Sequence, residues 1–257
     1  MLATTAPPVA LHIQNGIVDS PTWVAFLGLG LAVLVVCVLR AGRDLDDRLA
    51  PMAGLVAAYI FAVQMLNFPV LPGVSGHLLG GALAALLVGP WVGALCVSIV
   101  LIVQAFVFAD GGVTALGLNI TNMALIATMA GYVVIAVMLR LLPPGKTSLM
   151  VTSFVAGLLS VVAASFGFVL QYAVGGVADL PIGWVAGAMG GTHVLIGIGE
   201  GLITALTVLA VAKVRPDLVY ALRHADRRRV ATPASESSVA QSRHRTTVES
   251  SSSGNAT

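Results

Sequence analysis

Seven long apolar runs, divided by short polar or glycine- and proline-bearing breaks, set the rhythm of this chain. They cover residues 22–40, 51–68, 75–89, 91–109, 116–140, 149–174 and 185–213. A helix needs about 20 apolar residues to span a bilayer, and only the third run is clearly short of that. The runs are continuous rather than alternating. That predicts helices and argues against the strands of an outer-membrane barrel. Gly89-Pro90 predicts a break between the third and fourth runs, so 75–109 reads as two helices or as one broken hairpin. The predicted fold class is an all-α integral membrane protein, a bundle of about seven transmembrane helices.

Composition agrees with a lipid environment. Hydrophobic residues make up 58% of the 257 residues and charged residues 9%, and mean hydropathy is +0.97. Soluble domains carry about 25% charged residues. Alternating the helix ends puts all 13 Lys and Arg on one side, while the other side holds Asp19, Asp110 and Asp179. Basic loops stay cytoplasmic, which predicts the N-terminus outside and the C-terminus inside. Cys37 and Cys96 lie in apolar runs and read as buried free thiols. The only dense basic run, Arg227–Arg229, follows the last helix, and nothing suggests nucleic-acid binding.

Three polar constellations interrupt the apolar pattern. Residues 67–81, NFPVLPGVSGHLLGG, wrap prolines and glycines around His77. Such backbone is tolerated at membrane depth only if buried in protein or lining a cavity. The plainer reading is an external turn followed by a Gly76/Gly80 packing face. Residues 108–123, FADGGVTALGLNITNM, combine Asp110 and two glycines with Thr114, Asn119, Thr121 and Asn122, suited to capping, interhelical bonding or orienting ligands. Residues 192–204, THVLIGIGEGLIT, place His193 and Glu200 seven apart, on one helical face. An ionisable group inside a span is a functional candidate; the alternative for Glu200 is a carboxyl paired in the core. His12, His77 and His193 all map to the outer half, and imidazole suits nickel, copper, zinc and related ions.

Taken together, LNFPV at 66–70, SGHLLGGALAA at 75–85, GPW at 89–91, VQAFVFADGGVTALG at 103–117 and Asn119-x-x-Asn122-Met123 resemble the CbiM/NikM family. These are the membrane substrate-binding subunits of energy-coupling-factor transporters for cobalt and nickel. The resemblance spans roughly residues 11 to 213. It implies capture of Co(II) or Ni(II) as transported substrate, with no cofactor and no catalysis, and supply to cobalamin synthesis. The implied partners are a membrane coupling subunit, two cytoplasmic ATPase subunits and a small accessory membrane subunit. The implied setting is a bacterial plasma membrane, crossed several times. It also implies a ligand set. Mature members begin Met-His, and the terminal amine, the histidine's amide nitrogen and its imidazole bind together with a second histidine. Carried over, the ligands are His12 and His77, with the amine of residue 11. Four nitrogens in a plane suit Ni(II) or Cu(II), and the family extends the set to cobalt. His193, Asp110, Asn119 and Asn122 are candidates to support them.

The chain departs from the family at Leu11, which stands where Met is expected and follows ten further residues. Translation from a leucine codon read as Met would restore the amine. Cleavage after Ala10 and a genuine extension with an altered site are the alternatives. The expected organisation is therefore a start-site artefact or disordered extension at 1–10, a metal-binding membrane domain at 11–213 and a disordered cytoplasmic tail at 214–257. Two rivals remain. An intramembrane metalloenzyme lacks support from any H-E-x-x-H motif. A capture subunit for an organic vitamin would need a larger, mostly apolar cavity. No phosphate-binding G-x-x-x-x-G-K-[ST] loop is present, so ATP hydrolysis belongs to other chains.

Overall fold

A computed structural model describes residues 12–44, 49–65, 68–71 and 74–223. Leu11, the segment 1–10 and the tail beyond 223 lie outside the described residues. Among the described residues are eight α-helices: α1 Ser20–Asp44, α2 Leu49–Gln64, α3 Gly81–Val88, α4 Pro90–Val107, α5 Leu116–Asn119, α6 Ala127–Leu141, α7 Lys146–Gly175 and α8 Ile182–Val214. A π-helical stretch, Ile120–Ile126, joins α5 and α6 into one rod, and two short strands, β1 Phe68–Leu71 and β2 Val74–Gly76, pair antiparallel before α3.

Among the described residues, five helical rods are long and apolar enough to cross a membrane, Ser20–Arg43, Pro90–Val107, Leu116–Leu141, Lys146–Gly175 and Ile182–Val214; Leu49–Gln64 is shorter. The protein is all-helical apart from the short strand pair, and it is a multi-pass membrane protein. Six of the seven expected segments appear as rods within a few residues of their predicted ends. The third differs. Only Gly81–Val88 is helical, and Val74–Gly76 is strand, so Gly76 and Gly80 share no helical face. Every residue of α3 is buried. An apolar run looks the same to hydropathy whether it meets lipid or is wrapped by neighbours.

The bundle buries several polar side chains within a largely apolar interior and exposes apolar side chains on its outer surface. Gln64, Gln104, Gln171 and Glu200 are among the largest fully buried side chains, while Val35, Leu39, Leu55, Phe106 and Leu206 are exposed. That suits a lipid solvent, in which buried polar groups hold helices together and apolar groups face the acyl chains. Small residues bring backbones close: a Cβ on Gly157 would lie 2.7 Å from Gly201 Cα, and one on Gly131 would lie 2.9 Å from Ala82 Cα. The break before α4 forms as expected. Gly89 takes φ +87, which suits glycine, and Pro90 follows in the first helical turn, where its missing N–H costs nothing.

Helix ends segregate. At one end of the bundle, Asp19 N–H donates to Gly175 O at 2.8 Å and Val177 N–H to Ile17 O at 3.1 Å. At the other, Arg40 stacks 5.4 Å over the Trp91 ring, and Gly89 lies against the Tyr220 ring. Val219 and Tyr220 are buried. The packed unit runs to Ala221.

Candidate metal centre

Two irregular segments enter the bundle from the end where α1 begins. The first is the N-terminal stretch 12–19. It runs strand-like through a slot made by the turn after α4. Gly112 N–H donates to Ile13 O at 3.0 Å. Asn119 pairs with the same residue twice, accepting Ile13 N–H at 3.1 Å and donating to Ile13 O at 3.2 Å. Asn15 Oδ1 accepts the Thr114 N–H and hydroxyl at 3.0 and 2.6 Å. The slot needs glycine. Gly111 has φ +94, with His12 Cβ 3.0 Å from where its own Cβ would be, and a Cβ on Gly112 would collide with Asn15.

The second segment is 77–80, ahead of α3. It reaches Glu200, near the middle of the 33-residue α8. Both carboxylate oxygens are engaged: Leu79 N–H donates to Oε2 at 2.6 Å and Gly80 N–H to Oε1 at 3.0 Å. Gln64, at the end of α2, donates to Leu79 O at 2.8 Å. Exposed peptide groups at such depth are costly, and these side chains satisfy them. Glu200 is therefore paired with backbone.

The two segments bring His12 and His77 together. Their ring centroids are 4.8 Å apart at 51°, and both residues are buried. His77 Nδ1 lies 2.9 Å from Leu78 O. A carbonyl only accepts, so Nδ1 carries the proton and Nε2 has the lone pair. His12 differs. Nδ1 is 3.2 Å from Asp110 Oδ1, within ion-pair reach but without hydrogen-bond alignment, and neither ring nitrogen has a hydrogen bond. Two ring nitrogens without a hydrogen bond on a side chain 1% exposed are unusual. They are available as ligands.

A cavity of about 290 Å³ opens beside the pair. Its walls include His12, His77, Asn119, Asn122, Met123 and His193. Asn122 donates to Gln171 Oε1 at 2.7 Å, which fixes its amide across α7. His193 Nδ1 lies 2.8 Å from Met189 O, so its Nε2 also has the lone pair. Asp110 meets His12, Asn119 clamps the segment that bears His12, and Asn122 and His193 line the cavity. All the described candidates from the sequence therefore gather at one end of the bundle. Leu11 lies outside the described residues. Among those described, no three His, Cys, Asp or Glu side chains group to hold an ion, so side chains alone do not make a closed site. Gln64, Asn15 and the backbone partners of Glu200 were not singled out from the sequence. Their common signal, a polar side chain beside a glycine-rich segment, is too general to find them.

Residues 12–218 match the CbiM profile, described as the cobalt uptake substrate-specific transmembrane region. A putative fused nickel transport protein NikMN of Archaeoglobus fulgidus is 38% identical over 215 residues, which are 81% of this chain and 68% of that protein. A cobalt transport protein CbiM of Geobacter sulfurreducens is 32% identical over 221 residues, 83% of this chain and 62% of that one. A crystal structure of a truncated transition-metal transporter superposes with a TM-score of 0.68 at 28% identity, covering 79% of this chain and 99% of its own.

Proposed function

The chain belongs to the CbiM family of cobalt and nickel transport proteins, and from that premise we propose that it is the substrate-capture subunit of an energy-coupling-factor transporter. It is a non-catalytic membrane protein of metal transport. Its cargo is Co(II) or Ni(II), taken at the end of the bundle that holds His12 and His77 and faces outward by the charge asymmetry. The observation that carries this reading is the buried His12 imidazole, 4.8 Å from His77, with neither nitrogen hydrogen-bonded.

The donor set follows from chemistry. His12 offers Nδ1 together with its own amide nitrogen, which close a six-membered chelate ring around a metal. His77 offers Nε2. The amine of residue 11 is the fourth nitrogen when that residue is the terminus, the arrangement the family resemblance implies. Nitrogen donors favour nickel and cobalt over magnesium and calcium, which take oxygen. The cavity beside the two histidines carries His12, His77, His193 and Asn119 on its walls, and these nitrogen donors favour an ion over a vitamin. A coupling membrane subunit and two ATPases would supply the energy for release, with a small accessory membrane subunit as a further component. Supply of cobalamin synthesis is the expected use of cobalt.

The test combines intact mass with titration. The native protein should bind one Ni(II) or Co(II), both His12→Ala and His77→Ala should bind it far more weakly, and its mass should correspond to a chain beginning at residue 11. Undiminished binding in either variant would refute the two-histidine site. A longer chain that binds equally well would remove the amine from the set. Weaker binding at lower pH is also expected, because imidazole must be deprotonated to ligate.

A further inference from the structure

Glu200 is the one carboxylate deep within the described helices, 1% exposed, and nothing in the capture chemistry above uses it. It is distant from the metal ligands in sequence, and it makes no bond to His77 itself. Its two oxygens receive the amides of Leu79 and Gly80, two and three residues past His77. Leu78, whose carbonyl orients the His77 ring through Nδ1, precedes Leu79 directly. Gly80, at φ +81, then turns the chain into α3 against Ile60.

The geometry points to Glu200 as the positioning residue for His77. Each oxygen takes one amide, so the carboxylate sets the orientation of two successive peptide planes. The Leu78 carbonyl is joined to the Leu79 nitrogen in the first of those planes. Its direction, and hence the tautomer and aim of the His77 ring, is thereby tied to α8. Gln64 fixes the far side of the same residue by donating to Leu79 O. A neutral amide at position 200 cannot do this. One of its two heads is a donor and would face an N–H. Outer groups that orient a ligating histidine typically change metal affinity by about 10–100-fold. This inference rests on His77 being a metal ligand.

The test uses the full chain in detergent micelles, with Ni(II) alone as probe. Glu200→Gln is expected to fold, to bind Ni(II) about 10–100-fold more weakly, and to move the ligand-field absorption band toward that of His77→Ala. In the His77→Ala background, Glu200→Gln should cause no further loss, because there is no ring left to position. Equal losses in the two backgrounds would mean a general structural effect and would overturn the inference. So would wild-type affinity and an unshifted band in Glu200→Gln. If that variant fails to fold, Gln64→Met removes the other tether with little change in volume. It should show a smaller loss of the same kind, again absent without His77, and an unchanged Ni(II) affinity would overturn the inference. Failure of wild type to bind Ni(II) would instead sink the capture reading, and this inference with it. Loss in His77→Ala with none in Glu200→Gln would sink this inference alone.

Discussion

The segments that deliver His12 and His77 reach the same point by different means. The stretch 12–19 is docked. Its bonds are to Gly112, Thr114 and Asn119 and to Gly175 and Val177, at the end of the bundle; Val18 is buried against Ala115 and Leu118, while Asn15, Gly16 and Ile17 are exposed. The stretch 77–80 is built in. All four residues are buried, and they are tied to α8 by Glu200 and to α2 by Gln64. Regions with few buried apolar contacts open at lower free energy than core elements. The exposed turn at 15–17 can thus open at lower free energy than the buried stretch 77–80. In the proposed capture role, that asymmetry puts the more easily opened part on the His12 side of the pair.

The sharpest way to break the comparison is Gly112→Val. The side chain collides with Asn15, so the docked arm should be expelled. Metal affinity should fall as far as in His12→Ala, while the melting temperature stays close to wild type. A large loss of stability would show that the arm is part of the core. Gly80→Ala is the counterpart on the built-in arm. A left-handed backbone costs a non-glycine residue about 1–2 kcal/mol, and the added Cβ would lie 2.9 Å from Ile60. Affinity and melting temperature should fall together. Asn119→Ala removes two hydrogen bonds to Ile13. At about 0.5–1.5 kcal/mol each, metal binding should weaken around tenfold with little change in melting. The smallest effect belongs to Asp19, whose side chain caps α1 by accepting Thr22 N–H at 2.9 Å. Bonds from the Thr22 hydroxyl and amide hold its carboxyl below the ordinary value near 3.8. A lowered folded-state pKa contributes stability above the unfolded value, lost as pH falls through the lowered one. Asp19→Ala should therefore lower the melting temperature slightly at neutral pH and not at all in strong acid.

Much of this was legible in the sequence, for identifiable reasons. The long rods follow from uninterrupted apolar length. Gly89-Pro90 marks the start of α4 because each residue has a backbone role there that few others fill. His12, His77 and Asp110 could be nominated because a polar group is costly in so apolar a chain. What stayed hidden depends on tertiary packing. The shortness of α3 reflects burial on all sides, which hydropathy does not separate from lipid exposure. The π-helical turn at Ile120–Ile126 has no compositional mark; it carries Asn122 and Met123 on the cavity wall, next to Asn119. The role of Glu200 was undecidable from spacing, since its partners are backbone amides 120 and 121 residues away. Its shared helical face with His193 suggested a pair. The two residues instead serve different structures, His193 bonding within its own helix and Glu200 across to the α3 loop.

In the proposed site, His12 and His77 hold one metal, with main-chain nitrogen completing the set. X-ray absorption at the nickel edge, on the full chain loaded with one equivalent of Ni(II), tests it most directly. Four nitrogen neighbours in a plane, with the pre-edge feature of square-planar nickel and no sulfur, is the predicted result. A six-coordinate, oxygen-rich shell, or sulfur from Met123 or Met189 on the cavity wall, would contradict it.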